Sequence, residues 1–367
     1  MKRLVFGVAV ATLMAAGAAG AAEWYENTKV KGDVRFRLER VDEDGKDNRD
    51  RARIRARLGA YSQVNDEVDV GIGLATGSSS DPVSRNQTLT EGFGPKNFLL
   101  DLAYVDYHPS LLEGVSLIGG KMKNPFVAVS DYIWDGDVTP EGAALKYKLG
   151  KDVQLMANGA AFWLEERSAS DEAMLYGAQA ALKLSPMEKM SLLAGVSYYQ
   201  FENLEGYPVM DGSGKMSSFG NSKKNSVDSS GKTNVLYATG YGSIEPFVQL
   251  DFDLGLPVQV FGTYVNNQDA DNDNKGYCVG VKLGKAKDPN TFELAYDYRR
   301  LEKDAWVGAL ADSDSWNGGT DGKGHKVSLK YQIQKNWQAG VTYFMDKKSL
   351  EKDVDYKRIQ LDLVASF

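Results

Sequence analysis

Arginine recurs at every second position from Arg49 to Arg57, and Ala52, Ile54, Ala56, Leu58 and Ala60 occupy the alternate positions. Period-two alternation is the signature of a β-strand. One face of this strand is charged and the other is small or apolar. Arginine keeps its charge at any physiological pH, so the row is a permanent electrostatic surface. Successive guanidiniums on one face lie about 6.6–6.8 Å apart. At that spacing neighbours repel by about 0.6 kcal/mol in water and about 2.4 kcal/mol at an effective dielectric of 20. A dry core would not hold such a face. A wet one would, preferably with acids opposite. A strand wet on one side and oily on the other fits a sheet with one solvated face or a water-filled membrane barrel.

Other residues with chemical potential are few. Asp131, Asp135, Asp137 and Glu141 cluster in one segment with Phe126, Tyr132 and Trp134. The chain has two histidines and one cysteine, Cys278. That scarcity argues against zinc sites and histidine-based hydrolysis, and it excludes an intramolecular disulfide. No cofactor or metal is expected. For an enzyme, His325 would be the candidate base, beside an outer rim, with Ser313 and Ser315 in the preceding loop. Nothing in their spacing is specific to catalysis. The net charge of −7 argues against nucleic-acid binding.

The elements that must position these residues are strands. Mean hydropathy is −0.38. Residues 1–22 read as a signal peptide, with basic Lys2 and Arg3, an apolar stretch from Leu4 to Ala16, and small residues for cleavage after 21 or 22. Loss of Lys2 and Arg3 takes the net charge from −7 to −9. From Glu23 onward no apolar run is long enough for a membrane helix. Alternation, punctuated by Gly, Pro, Asn and Asp, predicts sixteen strands, from Lys29–Glu39 to a last one ending at Phe367. The faces of the strand at Phe98–Tyr107 stay open. Connections alternate between short turns and long polar loops, with the longest at Glu202–Ser243. That alternation is the pattern of outer-membrane barrels, whose turns are periplasmic and whose long loops face outward. The expected fold is therefore all-β, a 16-stranded antiparallel transmembrane β-barrel over residues 23–367, closed so that no strand edge is exposed.

Gly119-Gly120-Lys121-Met122-Lys123-Asn124-Pro125-Phe126 and the run from Trp134 through Pro140 to Gly142 resemble motifs of a "putative porin" family of Gram-negative bacteria. So do Phe261-Gly262-Thr263-Tyr264-Val265-Asn266-Asn267 and Asp355-Tyr356-Lys357-Arg358. The resemblance implies export to the outer membrane, contact with its lipid and lipopolysaccharide, and recognition of the terminal aromatic Phe367 by the barrel-assembly machinery. By analogy with sixteen-stranded porins it implies a homotrimer. In porins the third outer loop folds into the lumen and its acids face a basic wall. Here that loop is 123–139, and Asp131, Asp135, Asp137 and Glu141 would supply its charge. Alternation alone places Arg35, Arg37, Arg51, Arg53, Arg55, Arg57 and Arg358 on the water path, with an acidic arc of Glu245, Asp251, Asp253, Glu293 and Asp297. The leading function is a diffusion channel for small polar or ionic solutes, with a mild preference for anions. A barrel enzyme resembling a lipase or protease, and a structural or adhesive barrel, are the alternatives.

Overall fold

The computed structural model describes residues 27–367 apart from 169, 212, 214, 228–230 and 232. The expected signal peptide, residues 1–22, lies outside the described residues. The chain forms β1 (Thr28–Glu43), β2 (Arg49–Asn65), β3 (Val68–Thr76), a two-residue β4 (Gln87–Thr88), β5 (Phe98–Tyr107), β6 (Val115–Lys121) and β7 (Glu141–Leu149). It continues with β8 (Val153–Glu165), β9 (Ala173–Met187), β10 (Met190–Glu202), the hairpin β11 (Lys223–Val227) and β12 (Thr233–Tyr237), and β13 (Tyr241–Asp253). The last six are β14 (Pro257–Asn267), β15 (Lys275–Gly284), β16 (Phe292–Leu301), β17 (Gly322–Gln334), β18 (Trp337–Lys348) and β19 (Val354–Ser366).

Without β4, β11 and β12, these strands form a closed antiparallel barrel of sixteen. Closure is made by β19 on β1, in register from Asp33↔Ser366 to Glu43↔Tyr356. Backbone bonds run both ways between Phe367 and Gly32 at 3.0 Å, so the last residue is stitched to the first strand. Turns such as 66–67, 150–152 and 335–336 lie at one end. Loops such as 77–97, 122–140, 203–240 and 302–321 lie at the other.

Alternation decides the two faces. On β1, Val34 (51% exposed) and Phe36 (41%) point outward, while Asp33 (9%), Arg37 (5%) and Glu39 (4%) point inward. Facing outward into water, so many apolar side chains would be unfavourable by about 25 cal/mol per Å²; facing lipid, they are in a matching solvent. The faces of β5 resisted assignment for a local reason. Its pairing with β3 slips between Gly73 and Leu74, a bulge that puts an extra residue in β5. Leu100 and Val105 both point outward across it, and Leu102 is buried. A constant period of two fails at such a point.

The hydrophobic core is inside the barrel, built from loops packed on one part of the inner wall. Phe162 of β8, Tyr199 and Phe201 of β10, Tyr241 of β13 and Phe261 of β14 belong to it, together with loop residues Phe126, Tyr132, Trp134 and Trp306. Trp306 sits edge-on to Trp134, Tyr199 and Phe201, with ring centroids 5.3, 5.1 and 5.2 Å away. Such pairs are each worth about 0.5–1.5 kcal/mol beyond their burial. Glycine makes the room: a Cβ on Gly177 of β9 would collide with the Phe126 ring, and one on Gly322 with the Trp316 indole.

Candidate functional site: the charged wall and the loops against it

The register of β1 with β2 places Asp33 opposite Arg57 and Glu39 opposite Arg51. It also places Arg35 opposite Arg55 and Arg37 opposite Arg53. Like charges directly opposite are unfavourable, so the wall needs carboxylates from elsewhere. Asp33 supplies two bonds, to Arg55 at 2.8 Å and Arg57 at 2.7 Å. Glu39 takes Arg358 of β19 at 2.6 Å, Arg53 at 3.6 Å, and Arg51 directly. Asp362 of β19 takes Arg37 at 2.6 Å. The remainder comes from loops.

Segment 123–139 and segment 302–321 both pack on the inner face, and they are joined. The Asp135 amide donates to the Leu310 carbonyl at 3.0 Å, and the Asp312 amide donates to the Tyr132 carbonyl at 3.3 Å. From the first segment, Asp137 comes within 3.9 Å of Arg55 and 3.7 Å of Arg57. From the second, Asp314 comes within 3.3 Å of Arg37 and 2.8 Å of Arg358. Burial opposes ionisation of Asp314, but Arg358 and Arg37 outweigh it and hold its carboxyl well below the usual range.

Away from this wall, Arg299 of β16 spreads three bonds. Nε donates to Asp297 at 2.6 Å, Nη1 to Asp312 at 2.7 Å, and Nη2 pairs with Asp131 at 2.9 Å. Lys326 of β17 takes the other Asp131 oxygen at 2.7 Å. Arg299 is 1% exposed and clamps the wall to both loops. Lys326 and Arg299 outweigh the burial of Asp131 and keep it ionised.

The seven arginines share one stretch of inner wall. The four acids assigned to the third loop do not act together. Asp137 approaches the arginines and Asp131 goes to Arg299. Asp135 makes no ion pair within 4 Å among the described residues; it accepts from the Asp137 amide at 2.8 Å and the Ser313 amide at 2.9 Å. Burial, then the Asp312 carboxylate, push its carboxyl up to about 8. Glu141 needs correction: it opens β7 and bonds Lys121 of β6 at 2.7 Å. It shares the outward parity of Ala143 and Leu145, because the chain has already re-entered the sheet.

The acidic arc is likewise divided. Asp297 belongs to Arg299 and Glu293 to Lys330 at 2.8 Å. Asp251 accepts from Gln259 at 2.8 Å. Glu245 is buried against the Thr263 hydroxyl at 2.9 Å and the Tyr199 hydroxyl at 3.3 Å. Segment 302–321 escaped the sequence reading. Its signal was present, since Ala305-Trp306-Val307, Ala309-Leu310-Ala311 and Trp316 are unusually apolar for an exposed loop.

The catalytic candidates are not assembled. His325 lies on the outer face of β17, with Nδ1 2.9 Å from the Tyr296 hydroxyl and its ring near Tyr298. The Ser315 hydroxyl is inside, donating to Asp312 at 2.7 Å. Among the described residues no cluster of His, Cys, Asp and Glu could hold a metal ion.

The family model described as "Putative porin" matches residues 41–236 and 257–367. The chain belongs to that porin family. It is a transmembrane barrel of the outer membrane, and family and fold point to a channel rather than an enzyme. Solved structures agree in architecture. The porin resembles OprB of Pseudomonas putida, in its high-pH structure, with a TM-score of 0.60 at 11% identity, covering 94% of this chain and 95% of that one. OmpF of Salmonella typhi, in complex with daunomycin, gives 0.56 at 12% identity, covering 93% and 97%. The trimer form of OmpT of Vibrio cholerae gives 0.51 at 12%, covering 93% and 99%. At these identities the likeness is one of fold. No curated protein sequence matches the chain.

Proposed function

We propose that this porin passes small polar or ionic solutes by passive diffusion through a charged constriction. The constriction is formed by the arginines of β1, β2 and β19 facing acidic side chains of segments 123–139 and 302–321. One observation carries the reading: Asp137 and Asp314, from two different loops, both come within 4.0 Å of those arginines. Fixed charges of both signs across a narrow, low-dielectric passage set up a transverse field that orients dipolar solutes and gives anions and cations separate tracks. Because the arginines cannot titrate away, the net preference is for anions, and it weakens as salt screens the wall.

The channel reaches the outer membrane by a cleaved signal peptide at residues 1–22, and Phe367 is the mark read by the assembly machinery. Lipid and lipopolysaccharide cover the apolar outer face. A homotrimer is the assembled state, in line with the trimer form of OmpT. Planar-bilayer conductance in a salt gradient tests the channel and its preference together. Arg53→Ala with Arg55→Ala should shift the reversal potential toward cations and leave assembly intact. An unchanged reversal potential would make the arginines a structural ion-pair network instead.

A further inference from the structure

The seven arginines do not share their carboxylates evenly. Arg37, Arg55, Arg57 and Arg358 each have one at 2.6–2.8 Å, and Arg51 sits directly on Glu39. Arg35 and Arg53 do not. Asp362 lies 4.0 Å from Arg35, and Glu39 lies 3.6 Å from Arg53 while already holding Arg51 and Arg358. Both side chains are nevertheless only 12% exposed. Both Nε–H groups are buried and have no acceptor among the described residues.

These two arginines meet at one residue. Asn86 accepts from Arg35 Nη2 on its side-chain oxygen at 2.6 Å, and from Arg53 Nη2 on its backbone oxygen at 3.4 Å. Asn86 is held in place by the backbone that follows it. Gln87 and Thr88 pair with Ile54 and Arg53 as β4, and the Leu89 amide donates to the Ala52 carbonyl at 2.8 Å. An amide oxygen accepts a hydrogen bond but brings no charge. Within ion-pair distance the seven guanidiniums meet five carboxylates, those of Asp33, Glu39, Asp137, Asp314 and Asp362. The cluster has two positive charges in excess, and Arg35 and Arg53 have the most distant carboxylates. Each has only a distant or shared carboxylate, and a buried charge so incompletely paired is costly. Charge-assisted bonds to an oxyanion would relieve that cost and use the idle donors.

We propose that Arg35, Arg53 and Asn86 form a discrete, saturable site for a dianionic oxyanion, the chemistry shared by hydrogen phosphate and small dicarboxylates. The inference rests on the channel reading and refines it: the wall selects by binding as well as by its field. A solute of this class pauses at the site and hinders chloride while it is there.

The test uses the full-length porin in planar bilayers carrying a potassium chloride current. Hydrogen phosphate at mildly alkaline pH is titrated in one arm and succinate in the other. Saturable reduction of the chloride current is expected in at least one arm. Block by phosphate alone assigns the site to phosphoryl groups, and block by both assigns it to dianions generally. Arg35→Gln with Arg53→Gln should raise the half-blocking concentration by about tenfold or more, while Lys347→Gln, on the outer face, should block like the native protein. If the double variant does not assemble, Asn86→Asp is read in its place; a carboxylate at the site should abolish the block. No block in either arm, or block unaltered in the variant that is read, overturns the proposal. Absence of any chloride current would instead refute the channel itself.

Discussion

The inner wall from β8 to β15 and the inner wall from β19 to β2 obey the same alternation and carry the same apolar outer face, yet their buried chemistry differs. The first presents Phe162, Leu175, Tyr199, Phe201, Tyr241 and Phe261, covered by two loops that bring further aromatics. The second presents guanidiniums and carboxylates in bonded pairs. Period two therefore tells which side chains point into a barrel, and their chemistry tells whether they are held by aromatic packing or by ion pairs. This barrel is packed like a globular protein along one arc and charged along the other. The loops belong to both: Trp134 and Trp306 fill the aromatic side, while Asp137 and Asp314 meet the charged one.

The sharpest break of this contrast is Trp306→Ala. It should cost about 3–5 kcal/mol, read as a lower denaturant midpoint, and it should raise single-channel conductance as both loops loosen. An unchanged conductance would mean that the aromatic side does not limit the pore. Next comes Arg299→Met, at the boundary. It strands Asp297 and Asp312, but Lys326 stays on Asp131, so the loss should be near about 3 kcal/mol, the low end for a broken buried pair. If melting is unaffected, the clamp is not structural.

A pH titration sharpens the contrast further. The Asp135 carboxyl is raised to about 8 by burial and by the Asp312 carboxylate, whereas an unfolded aspartate titrates near about 3.9. The native loops thus hold a proton that the unfolded chain releases. The Asp135 contribution to docking is full below about pH 4 and is lost progressively toward about pH 8. Amide exchange in segment 302–321 should accelerate over that window, and Asp135→Asn should flatten the dependence. Exchange that slows as pH rises, after correction for intrinsic rates, would reverse the assignment. The smallest effect is expected for Arg57→Gln on the charged side. That side chain is 39% exposed, so its pairs should contribute only about 0.2–1 kcal/mol. A fall in thermal stability as large as that of Arg299→Met would erase the distinction between the two walls.

Local chemistry wrote much of this porin into its sequence. Strand existence, the inward face of each regular strand, the alternation of turns with long loops and the charged character of β1, β2 and β19 follow from side-chain period and turn residues, which act over a few positions. The faces of β5 were hidden by one slip in register, since a bulge is decided by the partner strand and not by the strand itself. Partnership was illegible for a related reason. Asp131, Asp135 and Asp137 look equivalent in the chain, but folding sends one to Arg299, buries one beside Ser313 and brings one to Arg57. Segment 302–321 read only as a loop because composition acts over short windows, while Trp306 is buried against Tyr199 and Phe201 of β10, far earlier in the chain, and Trp316 against Gly322 of β17, which follows it. The sequence by itself determined a barrel with a basic stretch of inner wall. Only the tertiary structure decided which loops occupy the interior and which acids neutralise which arginines, because those choices depend on contacts between residues far apart in the chain, where charge and burial are settled jointly.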